Sequence, residues 1–216
     1  TAQLTIGGEQ SATDAGNHVA TFTPTKNYQW SDNTTNAKQI TWSIGRATIA
    51  AVPAQSGTLT YTGSAQSPSW SNYDAAKMTL GGATSGTNAG SYAATFTPNA
   101  NYQWSGGETT AKTVNWSIGK AAGSLSLNKS SLTLNNTTKT STITVTRAGD
   151  GAITATSGDT GIATVSVSGT TITVTAKAYG TTTITVKVAA GTNHNAPGNK
   201  TCSVTVNLFN ESMTSN

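Results

Sequence analysis

The chain repeats itself, and that constrains its fold more than any single motif does. Ala15-Gly16-Asn17-His18-Val19-Ala20-Thr21-Phe22-Thr23-Pro24 returns as Ala89-Gly90-Ser91-Tyr92-Ala93-Ala94-Thr95-Phe96-Thr97-Pro98. Asn27-Tyr28-Gln29-Trp30-Ser31 returns unchanged as Asn101-Tyr102-Gln103-Trp104-Ser105. Every pair is offset by 74 residues without a gap, and 19 of the 32 positions from Gly16 to Ala47 are identical to their partners. Self-similarity at a fixed period marks a folding unit used more than once.

The offset also aligns Leu4-Thr5-Ile6-Gly7-Gly8 with Met78-Thr79-Leu80-Gly81-Gly82. The second copy starts earlier, near Ala47, and residues 47–74 have no counterpart in the first. The expected organisation is therefore a partial unit over 1–46 that lacks its first strands, a complete unit over 47–120, a different unit over 121–207, and a tail over 208–216. A partial sandwich leaves an open sheet edge, which is a liability unless something covers it.

Composition says what kind of unit this is. The chain holds 44 Thr, 23 Ser and 22 Gly; Thr is β-branched and suits a pleated, half-buried surface, while Gly punctuates turns. In the last unit the apolar residues alternate strictly: Ile143 with Val145, Ile172 with Val174, Ile184 with Val186 and Val188, and Cys202 with Val204 and Val206. Period-two patterning puts one face on a core and one in water. Ser168-Gly169-Thr170 reads as a hairpin turn between two such runs. Seven or eight short strands in this segment predict a two-sheet sandwich of immunoglobulin-like size. The fold class expected for the whole chain is all-β, as tandem immunoglobulin-like β-sandwiches.

The same counts exclude several functions. Only 9% of residues are charged, for a net charge of +4, and the lysines are scattered singly; a nucleic-acid groove needs them clustered. No apolar run approaches the roughly 18 residues of a membrane helix. One cysteine and two histidines allow neither a disulfide within the chain nor a multi-cysteine metal site. No catalytic residue, metal or cofactor is expected, and the chain is not read as an enzyme. Neither nucleic acid nor membrane insertion is expected among its partners.

Ser157-Gly158-Asp159-Thr160-Gly161-Ile162-Ala163-Thr164-Val165 and the run from Thr171 through Gly180-Thr181-Thr182-Thr183-Ile184-Thr185-Val186 resemble a group 2 bacterial immunoglobulin-like domain. The 74-residue repeat, through Leu59-Thr60-Tyr61-Thr62-Gly63 and Thr87-Asn88-Ala89-Gly90-Ser91-Tyr92, resembles another bacterial immunoglobulin-like type found in tandem. These resemblances imply a β-sandwich module outside the cell, on a bacterial surface protein or a phage tail or virion. The implied role is a spacer or an adhesive display module. The partners so implied are neighbouring structural subunits or upstream domains of the same protein, and in the adhesive case cell-surface glycans.

Trp70 and Tyr73, in Ser69-Trp70-Ser71-Asn72-Tyr73-Asp74, lie in a polar, turn-like stretch. They are the candidate ligand-binding residues, weighed against a structural role. Trp42 and Trp116 share a strand face with apolar neighbours and are expected in the core. Tyr28 with Trp30, and Tyr102 with Trp104, are expected to plug the end of a sandwich. His194 reads as a solvated loop histidine, and His18 is replaced by Tyr92 at the matching position, so no imidazole function is common to both copies. Cys202 should be a buried, inert thiol. The reading is a structural stalk or decoration module, with weak multivalent glycan binding as the alternative.

Overall fold

The computed structural model describes residues 2–208, so the expected tail lies, except for Leu208, outside the described residues. Among the described residues the chain is all-β, with nineteen strands. The first copy contributes β1 (Leu4–Gly8), β2 (Gly16–Pro24) and β3 (Lys38–Ile44). The second contributes β4 (Ala47–Ile49), β5 (Ala54–Ser56), β6 (Leu59–Thr60), β7 (Ser69–Ser71), β8 (Met78–Gly82), β9 (Gly90–Pro98), β10 (Tyr102–Trp104) and β11 (Lys112–Gly119). The last segment contributes β12 (Ser124–Leu127), β13 (Ser131–Asn135), β14 (Thr140–Ala148) and β15 (Ile153–Ser157). It continues with β16 (Ala163–Ser168), β17 (Thr171–Ala176), β18 (Gly180–Val188) and β19 (Lys200–Asn207).

The chain divides into two compact units. One comprises Thr1–Gly57, Ser67–Ser85 and Tyr92–Trp116; the other comprises Thr58–Gln66, Gly86–Ser91 and Ser117–Asn216.

In the first unit, β1, β2 and β3 form an antiparallel three-stranded sheet. The sequence repeat is also a register repeat: Leu4 faces Pro24 and Ile6 faces Phe22, while Met78 faces Pro98 and Leu80 faces Phe96. Strands β1 and β8 both end on a glycine with φ 71°. A Cβ on Gly8 would lie 2.5 Å from the Val19 carbonyl oxygen, and one on Gly82 2.7 Å from that of Ala93, so each position accepts glycine alone. The tryptophan hydrogen bonds are copied as well. Trp42 Nε1 donates to the Glu9 carbonyl at 2.9 Å, and Trp116 Nε1 donates to the Ala83 carbonyl at 2.7 Å.

The second unit holds a complete two-sheet sandwich. One sheet runs β12-β14-β17-β16 and the other β13-β19-β18-β15, with a parallel pair, Leu132 opposite Val204, between β13 and β19. The alternation read from the sequence is the burial pattern observed: Ile143, Val145, Ile172, Val174, Ile184, Val186, Cys202, Val204 and Val206 all lie in one buried cluster. Each such aliphatic side chain stabilises the fold by about 1.5–3 kcal/mol relative to leaving it in water. Their neighbours Thr142, Thr144, Thr181 and Thr183 are exposed. Gly169, with φ 58°, turns the β16–β17 hairpin at the expected place. The buried Thr182 hydroxyl is satisfied, since Asp159 donates its backbone N–H to it at 2.8 Å.

Candidate functional site

Trp70 and Tyr73 meet on one residue. Trp70 stands edge-on to the Phe96 ring at 4.9 Å between centroids, and Tyr73 is tilted against it at 5.6 Å. Both are half-buried and Phe96 is fully buried. Trp70 lies in a strand, β7, paired with β5, where the sequence suggests a turn. Tyr73 alone of the two lines a surface hollow of about 380 Å³, with Ile49, Asp74, Lys77 and Met78. Lys77 Nζ sits 3.1 Å from Asp74 Oδ2; that ammonium, with the Ala76 N–H behind it, holds the Asp74 carboxyl below the usual carboxylate range.

The other aromatics divide by copy. Trp116 and Trp104 are buried, while Trp42 and Trp30 are half-buried and Tyr28 is exposed. The core expected for Trp42 is thus only partly built. His18 and Tyr92 turn out to be the same structural part: His18 lies tilted against Trp42 at 4.7 Å between centroids, and Tyr92 stacks on Trp116 at 4.5 Å. Cys202 is buried, and burial pushes its thiol pKa up. Lys38 and Lys112 pair with Asp32 at 2.7 Å and Glu108 at 2.9 Å, each over a tryptophan ring of its own copy.

His194 is not a solvated loop residue. It is half-buried, edge-on to Tyr61 at 5.3 Å, with Nδ1 3.5 Å from Asp150 Oδ1. Asp150 also accepts the backbone N–H groups of Thr192 at 2.7 Å and Asn193 at 3.1 Å. Partial burial raises the Asp150 pKa. The N–H donors of Asn193 and Thr192 and the His194 ring outweigh it, so the carboxyl lies below its ordinary value. These bonds shape loop 191–194.

That loop carries a polar arrangement that sequence reading missed. In the second unit, Ala89 donates its N–H to Asn193 Oδ1 at 2.8 Å, and Asn193 Nδ2 donates to Asn88 Oδ1 at 3.2 Å. The Asn193 carbonyl accepts the Ala121 N–H at 2.9 Å, and Lys120 Nζ donates to the Gly191 carbonyl at 2.6 Å. In the first unit three of these bonds recur, 74 residues earlier on one side, and the basic side chain again reaches a carbonyl of the asparagine's loop, one residue before the asparagine rather than two. Ala15 N–H donates to Asn101 Oδ1 at 2.7 Å, and Asn101 Nδ2 donates to Asp14 Oδ1 at 2.8 Å. Ala47 N–H donates to the Asn101 carbonyl at 2.8 Å, and Arg46 Nε donates to the Ala100 carbonyl at 2.9 Å.

Each asparagine therefore clasps the Asp/Asn-Ala loop and the basic-Ala linker that belong to the preceding stretch of chain. The repeat exposes one half of this device, since Asp14 and Asn88, Ala15 and Ala89, Arg46 and Lys120, and Ala47 and Ala121 are all 74 apart. The other half is hidden, because Asn193 lies outside the repeat.

Among the described residues no group of three or more His, Cys, Asp or Glu is placed to hold a metal ion, and no helix is long and apolar enough to cross a membrane. No family model matches the chain, and no curated protein matches it in sequence. Solved structures similar to it are tandem β-sandwich domains. Domains 4 and 5 of the S-layer protein SbsC match at 21% identity over 65% of this chain and 82% of that one, with a TM-score of 0.35. The fibronectin(III)-like modules of Clostridium thermocellum CbhA match at 14% identity over 75% and 95%, with a TM-score of 0.31. The extracellular cadherin domains 1–4 of protocadherin gamma B7 match at 9% identity over 96% and 65%, with a TM-score of 0.34.

Proposed function

We propose that this chain is a non-catalytic structural module: a stalk or decoration segment, outside the cell, of a bacterial surface protein or a phage tail or virion. In this reading residues 1–46, 47–120 and 121–207 are successive modules, the last of the group 2 bacterial immunoglobulin-like type. The observation that carries the reading is the clasp. Three equivalent asparagine hydrogen bonds and one from a basic side chain tie the linker and the Asp/Asn-Ala loop to the following stretch at both places where, in this reading, one module gives way to the next. The device survives although the partner loop changes from a repeat loop at Asn101 to an unrelated one at Asn193. A spacer must transmit position from end to end, and a fixed linker does that. Thr-rich faces with little charge suit the role, since hydroxyls supply hydration without attracting ionic partners.

The second reading is weak glycan binding made firm by many copies on one particle. The hollow beside Tyr73 supports it. One experiment separates the two: display the chain in many copies over a panel of bacterial cell-wall polysaccharides and mucin glycans, with Trp70→Ala and Tyr73→Ala as controls. The structural reading expects no saturable binding. Saturable binding lost in either variant overturns it in favour of recognition.

A further inference from the structure

The sandwich of the second unit has β12, β16, β13 and β15 as its edge strands, and cations stand at three of them. A charge on or beside an edge keeps it from pairing with another chain. Arg147 is opposite Leu125 of β12, and Lys187 is opposite Thr154 of β15. Lys129 and Lys200 line a hollow with Ser130, directly before β13. β16 has no such guard. Residues 163–176, the whole β16–β17 hairpin, include no charged residue and no proline. Among the described residues no strand pairs with the outer side of β16.

Exposed apolar groups gather at the same edge. In the described part of the second unit, the large apolar side chains left in water are Val167, at 38%, and Tyr179, at 68%. Val167 is in β16 itself, near its end. Tyr179 follows Lys177 and Ala178, whose N–H groups both donate to the carbonyl of Ile162, directly before β16. The two therefore flank opposite ends of one uncharged strand. Ala163, Val165 and Val167 share its core-facing side, opposite Ala176, Val174 and Ile172 of β17.

We propose that β16 is a self-pairing edge: β16 of a second copy of this chain adds to it antiparallel, about a two-fold axis at Val165. An axis normal to the sheet keeps the core-facing sides together. That register sets Val167 of each copy opposite Ala163 of the other, at the end where Tyr179 stands, so the exposed apolar groups of the two copies meet. An interface of this symmetry must be self-complementary. Charge selects the copy as occupant. The second unit holds seven Lys and Arg against three Asp and Glu, so an acidic partner is drawn to the cationic edges instead. The uncharged strip is where two cationic units meet without like charges face to face. Main-chain hydrogen bonds supply the affinity. One short strand is small beside the roughly 1,200–2,000 Å² of a stable interface, so the pairing is weak between free chains and firm where copies are held side by side. It does not rest on the spacer reading.

The test is sedimentation of the whole chain up to about 1 mM, the scale of a weak contact, with amide hydrogen exchange as the second readout. The expected result is a monomer–dimer equilibrium in which protection at residues 163–168 rises with concentration. Added salt should tighten the dimer, because it screens the repulsion between two cationic units. Ser166→Lys brings two cations together across the axis, and Val167→Lys removes an apolar contact; both positions are exposed. Each variant should weaken association about tenfold or more. Thr133→Lys, which adds the same charge at an exposed position of β13, should change it by less than about twofold. Unchanged amide shifts in β19 verify that the variants fold. A chain that stays monomeric at about 1 mM overturns the proposal. So does a dimer that salt dissolves, one that both β16 variants leave intact, or one that Thr133→Lys weakens equally.

Discussion

Phe22→Ala and Phe96→Ala make the same chemical change at the same register of two copies, and the structure predicts different losses. Phe96 is fully buried, opposite Leu80, with Trp70 at 4.9 Å and Tyr73 at 5.6 Å. Truncating it removes the transfer free energy of the ring and leaves a cavity that two aromatics anchored in their own strand and turn fill only in part. Core Phe→Ala changes of this kind destabilise by about 3–5 kcal/mol. Phe22 sits opposite Ile6 and lines an open hollow, half-buried among the described residues. There is no cavity to form, and part of the ring is already in water, so about 1 kcal/mol is expected from the area term alone. Native-state hydrogen exchange of the amides in β9 and β2 reads each local stability separately. Equal losses in the two variants would refute the reasoning, because they would mean that the covering residues contribute nothing.

Three further outcomes follow from named contacts. Asn193→Ala leaves the part-buried Ala89 N–H without its acceptor, a loss of about 1–3 kcal/mol, and exchange protection at Ala89 should fall accordingly; unchanged protection would show that Asn193 Oδ1 does not hold it. The Asp150 carboxyl lies below its ordinary value when folded, so its contribution to loop 191–194 is complete above the usual carboxylate range and is lost as pH falls through the depressed value. The Thr192 and Asn193 amide shifts should therefore titrate below the usual carboxylate range, and a midpoint at or above that range would contradict the hydrogen bonds assigned to them. Cys202, buried with a raised thiol pKa, should react with thiol reagents only at the rate of unfolding; rapid labelling of the native chain would place it on the surface instead.

The parts legible in the sequence were those written in hydropathy period and in self-similarity. Ile143 with Val145, or Cys202 with Val204 and Val206, announce their common face because a strand repeats every two residues. The hairpin at Gly169 is legible because its turn demands a residue tolerant of positive φ. Trp42 reads identically to Trp116, yet only Trp116 is buried. Alternation tells which way a side chain points and not whether another layer lies beyond it.

Trp70 and Tyr73 look like exposed aromatics because their neighbours are Ser, Asn and Asp. Their packing on Phe96 is a contact across more than twenty residues that no local pattern encodes. The asparagine clasps were invisible for a related reason. Asn101 and Asn193 lie in loops where asparagine is an ordinary turn residue, and one half of the second clasp falls outside the repeat. His194 was misread because its environment is made by Asp150 and Tyr61, both distant in sequence.

The account's central claim is that the clasps fix one stretch of chain to the next. It is tested most directly within the second unit, by pulsed electron–electron distance measurement between spin labels at Ser64→Cys and Ser168→Cys, both exposed positions, in a Cys202→Ala background. The account predicts one narrow distance distribution for the otherwise unaltered chain and a markedly broader one when Asn193→Ala is added. A distribution already broad with Asn193 in place, or one that Asn193→Ala leaves unchanged, would contradict it.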